Sequence, residues 1–256
     1  MKRAVIILYL FLSISLVQAG DDVAKNNFKH GMFVGLGFNF PARFDKEIRP
    51  YAIDIANNSG KMGAWFQFGY NLEYDEIIGM RAECNFGALG FNWEKFDENA
   101  EDRFSGFDVF NDKYEDRTHS DFPGMANNGI TVVFYPKITM GRFALYPLAG
   151  VGCYYMEMPS ISYVLRETGT NYFNRHQVFN HASLGFSMCP GFEFKWYTRD
   201  ANHSYISICG RYFWSFYNGK YSIKQFDYAG NETSVSEYHM RVPVRYISLS
   251  LNFGFV

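Results

Sequence analysis

Seven charged residues sit within runs of apolar and small residues, at spacings that place them on one side of an extended strand. Arg81 and Glu83 are two apart, as are Glu193 and Lys195; Glu73, Lys137 and Arg211 fall in step with small or polar neighbours. A step of two returns a side chain to the same face of a strand, so each close pair stacks opposite charges on one face. Two chemistries fit such a set. One is a satisfied polar network that fills an interior and fixes register, because buried charge persists only when paired. The other is a gated path for ions. His181-Ala182-Ser183 followed by Glu193 is enzyme-like: a base, a nucleophile and a carboxylate to orient the base. The bland alternative is a pair of rim residues at a strand end. Cys189 and Cys209 fall on one phase of neighbouring strands, nearly equidistant from a turn near Asp200. A disulfide between them and two separate thiols are both open. Cys84 and Cys153 fall on the opposite phase of non-adjacent strands, and no bond between them is expected. The four cysteines lack the close pairing of a zinc site. The acidic stretch 94–121 lacks the spacing of a calcium loop. Neither a metal nor a cofactor is expected, and that stretch reads as a solvated loop.

The elements that must position these residues are strands. Aromatic content is 20%, from 27 Phe, 19 Tyr and 4 Trp, yet mean hydropathy is only −0.20. Such a balance suits strands that are apolar on one side. Net charge is −2, which argues against a basic nucleic-acid binder. Lys2 and Arg3, the apolar run "AVIILYLFLSISLV" and Val17-Gln18-Ala19 have the form of a secretory signal with cleavage after Ala19. The expected organisation is therefore a signal at 1–19, a short periplasmic segment at 20–30, and one strand-built domain at 31–256.

Period-two alternation recurs eight times, near residues 31–40, 63–73, 78–87, 130–137, 145–155, 183–197, 206–216 and 246–256. In "YISLSLNFGFV", Ile247, Leu249, Leu251, Phe253 and Phe255 share one phase, and Ser248, Ser250, Asn252 and Gly254 the other. The charged residues singled out above all lie on the small, polar phase. The first, third, fifth and seventh connections are long (41–61, 90–128, 157–181 and 218–240). Those between are short. A soluble sandwich turns its apolar phase inward. Here the apolar phase is large and aromatic while the other is crowded with Gly, Ser and Asn, which suits a narrow closed interior with the apolar face toward lipid. The fold expected is all-β: an eight-stranded antiparallel up-and-down transmembrane β-barrel. Pro190 falls mid-strand, where a bulge is expected to carry it. Trp196, Tyr197, Trp214 and Tyr217 are expected as interfacial anchors.

These features, with "PLAGVGCYY" and the terminal strand, resemble the bacterial outer-membrane β-barrel family, the small porin-like, eight-stranded OmpA and OmpX type, over about residues 29–256. The resemblance implies an integral outer-membrane location and a monomer in contact with outer-membrane lipid and lipopolysaccharide. It also implies delivery by the outer-membrane insertion machinery, which reads aromatic residues of the last strand, here Phe253 and Phe255. Phe255 is penultimate, ahead of Val256. Function is then expected in the long loops, as non-enzymatic surface recognition, adhesion or envelope integrity toward an external ligand. No nucleic acid is involved. Two alternatives stand beside this. His181, Ser183 and Glu193 are similar to the His-x-Ser pair and later Glu of the lipid A deacylase barrels, although Leu184 follows the Ser where that family carries Asn. An accessory barrel of a secretion or uptake complex is the other.

Overall fold

The computed structural model describes residues 28–42, 60–74, 77–92, 94–95, 98–99, 102, 107–111, 124–157, 161–169, 173–181, 183–198, 204–227 and 229–255. The expected signal, most of the segment 20–30, and Val256 lie outside the described residues. The strand segments in chain order are β1 (Phe28–Pro41), β2 (Gly60–Lys61), β3 (Gly63–Tyr74), β4 (Ile78–Phe91), β5 (Phe107–Asn111), β6 (Gly124–Pro136), β7 (Ile138–Met140), β8 (Phe143–Glu157), β9 (Ile161–Glu167), β10 (Phe173–His181), β11 (Ser183–Met188), β12 (Gly191–Tyr197), β13 (Ser204–Phe226) and β14 (Glu232–Phe255). They form one antiparallel sheet.

Neighbours in sequence pair in space. β1 pairs with β3, β3 with β4, β4 with β6, and β6 with β8. β8 pairs with both β11 and β12, and each of those pairs with β13. β13 pairs with β14 over nearly its whole length. β14 pairs with β1, Phe33 opposite Gly254 through Pro41 opposite Tyr246. The series of pairings thus returns to its first strand, which leaves these strands without an open edge. The short connections, after β3, β7 and β12, lie at the same end as the two strand termini Phe28 and Phe255.

The count of segments exceeds the eight expected, for two physical reasons. The first is Pro190, which lacks an N–H and interrupts the run 183–197 between β11 and β12. No bulge carries it. Met188 faces Trp214 and Gly191 faces Arg211, so three steps on one strand match three on the other. Cys189 N–H still bonds Gly150 O at 2.8 Å, and Pro190 O accepts from Tyr212 N–H at 2.9 Å. The second is that the regions expected as loops carry strands. β13 and β14 do not stop near residues 216 and 246. They continue as a long hairpin to a turn in which Asp227 accepts from Asn231 N–H at 2.8 Å, with Gly230 at φ +81° supplying the left-handed step. β10, β9 and β5 add to its flank in that order. The acidic stretch 94–121 is therefore not wholly a solvated loop: Asp108 on β5 accepts from Arg166 on β9 at 2.7 and 3.1 Å and from Thr168 at 3.2 Å.

Side chains alternate across the sheet in the inverse of a soluble protein. Leu36, Phe38, Ile208, Leu249, Leu251 and Phe253 are among the exposed apolar residues, whereas Gln67, Asn71, Glu73, Arg81, Glu83, Glu193 and Lys195 are buried. The paired ring of strands encloses the polar phase.

Candidate functional site, the buried polar network

Three tiers of side chains fill the enclosed face. The tier nearest the short turns is centred on Glu73, whose carboxylate accepts from Lys137 Nζ at 3.1 Å, Tyr146 OH at 3.4 Å and Tyr135 OH at 3.5 Å. Lys195 Nζ lies 3.7 Å from the same carboxylate. Among the described residues it has no hydrogen-bond acceptor; instead the rings of Tyr205 and Tyr146 lie 4.2 and 4.3 Å away. Those cation–π contacts supplement the Glu73 carboxylate in holding a desolvated ammonium. Tyr146 and Tyr197 share a hydrogen bond that closes the tier.

The middle tier is held by two guanidinium groups. Arg81 donates to Asn71 Oδ1 at 2.7 Å, to Glu83 at 3.4 Å and to Glu193. Arg211 donates to Glu83 and to Gln67. The other Glu193 oxygen accepts from Ser207 Oγ at 2.5 Å and Asn252 Nδ2 at 3.2 Å. Gln67 Nε2 donates onward to Asn252 Oδ1 at 2.6 Å and Ser250 Oγ at 3.0 Å. Each Arg thus bridges strands that do not pair with each other. A planar fork with five donors suits that task, where a Lys ammonium does not.

The upper tier is aromatic. Phe213 stacks on Tyr246 with ring centroids 4.6 Å apart, Trp65 meets Phe213 at 5.3 Å, and Tyr154 meets it edge-on at 5.9 Å. Several polar ends of this tier are bonded: Tyr154 OH to Thr131 Oγ1 at 2.5 Å, Asn85 Nδ2 to Thr131 Oγ1 at 2.8 Å, and Asn127 to Tyr246 OH; Asn85 Oδ1 and Asn127 Oδ1 have no hydrogen-bond partner among the described residues.

The structure brings Glu73, Arg81, Glu83, Lys137, Glu193, Lys195 and Arg211 into these contacts, three carboxylates against four cations. Their neutral partners, Gln67, Asn71, Ser207, Ser250 and Asn252, were not singled out from sequence. They share the inward phase, which was visible, but their bonds cross the interior between strands far apart in sequence.

The remaining candidates fall elsewhere. Cys189 and Cys209 are buried free thiols. They are not opposite one another: Cys209 faces Glu193, and by the same register Cys189 lies level with Phe213, four residues further along β13. That offset is about 13 Å at strand rise, beyond any disulfide. Equal spacing of the two Cys requires Tyr197 to pair with the residue numbered 201, whereas it faces Tyr205, four residues further on. Cys84 and Cys153 are also free, on the outward phase. In the His181, Ser183 and Glu193 set, His181 faces Lys220 and Ser183 faces Met156, whereas Glu193 faces Tyr146 and Cys209. Ser183 and Glu193 are ten steps apart on one line of strand, roughly 33 Å, and Glu193 is already engaged by Arg81. Phe253 and Phe255 are exposed on the outward phase. Trp196 and Trp214 are exposed there too, but Tyr205 and Tyr217, one step out of phase, are buried. Tyr197 likewise turns inward to Tyr146, so neither Tyr197 nor Tyr217 is an outward anchor.

No protein-family model matches the chain, and no curated protein matches it. Among solved structures, a major outer membrane protein from Thermus thermophilus is similar with TM-score 0.43 and 14% identity, over 89% of this chain and 98% of that one. The translocator domain of the autotransporter NalP from Neisseria meningitidis has TM-score 0.32 and 11% identity, over 100% of this chain and 97% of that one. The β domain of the Bordetella autotransporter BrkA has TM-score 0.30 and 8% identity, over 90% and 99%. At such low TM-scores none of the three bears on what this chain does.

Proposed function

We propose that this chain is an outer-membrane β-barrel of eight staves, small and OmpA/OmpX-like in build, with a plugged interior. On this reading β11 and β12 count as one stave. It acts without catalysis, as a monomer delivered by a cleaved signal and the outer-membrane insertion machinery. The hairpin of β13 and β14, flanked by β10, β9 and β5, stands beyond the barrel as a surface for an external ligand.

The observation that carries the reading is the inversion of polarity: buried ion pairs inside, exposed aromatics and aliphatics outside. Water would not support that outer face at such extent, and lipid supports nothing else. Its height also fits. From Ile206 to Phe216 the outward row of β13 covers ten steps, about 33 Å along the strand. At a tilt near 40° that is about 25 Å along the axis, the height of the apolar band of such barrels.

Fractionation of intact cells tests this. The protein is expected in outer-membrane fractions, with a gel mobility that changes on boiling. A soluble periplasmic protein with no heat shift overturns the reading. Planar-bilayer recording tests the plug separately: three bonded tiers predict no steady large conductance, and a stable open pore refutes it.

A further inference from the structure

The outward phase of β14 is apolar from Phe255 back to Ile247, and beyond Ile247 it carries Arg245 and then Arg241. Arg245 is half-buried, its guanidinium 5.3 Å from the Trp214 ring centroid. Arg241 is exposed. Its guanidinium lies 4.6 Å from the Phe216 ring centroid, and no carboxylate pairs with it among the described residues. Arg241 faces Asn218 across the β13–β14 pair. Both line a groove of ≈ 380 Å³, whose remaining lining is Leu184, Phe186, Phe216, Cys153 and the Gly185 backbone. Arg245 is not part of it.

The groove crosses three strands on a slope. Phe216 faces Phe186, and Phe186 faces Cys153. Start from Pro243, opposite Phe216, and follow the paired residues through these three and on through β6, β4, β3 and β1. They end at Phe253, ten residues nearer the end of β14. Rows of pairs therefore descend toward the short turns on the way from β14 to β8. Arg241 and Asn218 stand at the high end of the groove, and Cys153 lies at the low end, within the apolar face.

We infer that this groove seats one net-anionic, phosphate-bearing membrane lipid, its headgroup on Arg241 and Asn218 and one acyl chain lying over Leu184, Phe186 and Cys153. The inference rests on the outer-membrane reading, under which this face meets lipid. Three features point to this occupant. The Phe216 ring covers the face of the Arg241 guanidinium and leaves its N–H edge to an anion, and that edge matches two phosphate oxygens. The Asn218 amide adds a donor beside it. Below them the lining is aliphatic, aromatic and thiol, so an acyl chain displaces no charge there. The slope then sets charge above and chain below, the order in which a membrane lipid carries them.

Cys153 is an exposed free thiol and reports on the groove directly; Cys84, a half-buried free thiol on the outward phase of β4, serves as its control. The full chain, folded in a nonionic detergent, is alkylated with N-ethylmaleimide and the rate at each Cys is read by peptide mass spectrometry. Phosphatidylglycerol, diacylglycerol with the same chains, and inorganic phosphate are added separately. Phosphatidylglycerol is expected to slow Cys153 several-fold, diacylglycerol much less, and inorganic phosphate not at all, with Cys84 unchanged throughout. Arg241→Gln is expected to reduce the effect of phosphatidylglycerol to that of diacylglycerol. A retained heat shift shows that the variant folds; if it is lost, Arg241→Lys is measured instead, which keeps the charge without the fork and is expected to lose part of the protection. The site is overturned if phosphatidylglycerol and diacylglycerol protect Cys153 equally, if inorganic phosphate alone protects it, or if Cys84 slows in step with it. If the protein proves soluble in cell fractions, the outer-membrane reading falls. If it fractionates with the outer membrane yet the protection of Cys153 ignores Arg241, the site alone falls.

Discussion

Removing the Arg81 guanidinium separates two accounts of the buried network. By charge count the interior holds three carboxylates and four cations, so losing one cation balances it and Arg81→Met is neutral or stabilising. By contact the outcome reverses. Arg81 is the cation bonded to Glu193 and also holds Asn71 and Glu83. Without it Glu83 keeps Arg211, but Glu193 keeps hydrogen bonds only from Ser207 and Asn252 among the described residues, with no cation bonded to it. A buried carboxylate stripped of its partner costs about 3–5 kcal/mol, a factor of roughly 10²–10⁴ in the folding equilibrium. The assay is urea unfolding in lipid vesicles, followed by tryptophan fluorescence and by the heat-shifted gel band. Arg81→Met is expected to lower the midpoint steeply at unchanged slope. Arg81→Met with Glu193→Gln is expected to recover much of that, since a neutral amide no longer needs the cation. Lys220→Met, which breaks an exposed pair with Glu237, is expected to shift stability by no more than about 0.5 kcal/mol. The contact account is refuted if Arg81→Met is as stable as the parent, or if the Glu193→Gln partner mutation restores nothing.

Three other outcomes follow from particular contacts. An added Cβ at Gly37 meets the Leu249 carbonyl of β14, which cannot move aside, whereas at Gly210 it meets only the tip of the Leu249 side chain at 3.2 Å; Gly37→Ala is expected to cost about 1–3 kcal/mol and weaken the heat shift, with Gly210→Ala close to silent. The Asp108 carboxylate is held below its ordinary range by the Arg166 hydrogen bonds, so its support of the β5–β9 pairing is present at neutral pH and lost as pH falls through the depressed value; hydrogen exchange of β5 amides is expected to quicken only at strongly acid pH, and Asp108→Asn to remove that dependence. Phe255→Ala is expected to lower the outer-membrane yield in cells while leaving detergent refolding of the purified chain intact, which a fractionation beside a refolding assay distinguishes.

How much of this was legible in the sequence depends on which face of a strand meets a contrast. Where one face is exposed and apolar and the other packs a polar interior, every second residue reports its side, and the seven network charges could be named from phase alone. Further along β13 and β14 that contrast is lost: the described residues at 218–226 and 232–241 are exposed or half-buried, apart from Ile223. Lys220, Ser222 and Lys224 alternate with Tyr221, Ile223 and Gln225 without a clean apolar phase, so residues 218–240 read as a loop and not as a hairpin. Partner choice across the interior was hidden for another reason. Phase gives the direction of Gln67, Ser207 and Asn252 but not their height, and height depends on the register summed around the ring of paired strands. A shift of the β12–β13 turn centre by two residues moves pairing by four, which is what separates Cys189 from Cys209. The same dependence hid Arg241 and Arg245. With the last strand taken to begin at Tyr246, the outward phase held no charge and the belt had no visible upper limit. Once register carries β14 up to Glu232, the first outward charge appears at Arg245, level with Trp214 on the neighbouring strand. The top of the apolar band is therefore set by where the outward phase changes character, at the same height on two strands whose sequences share no motif.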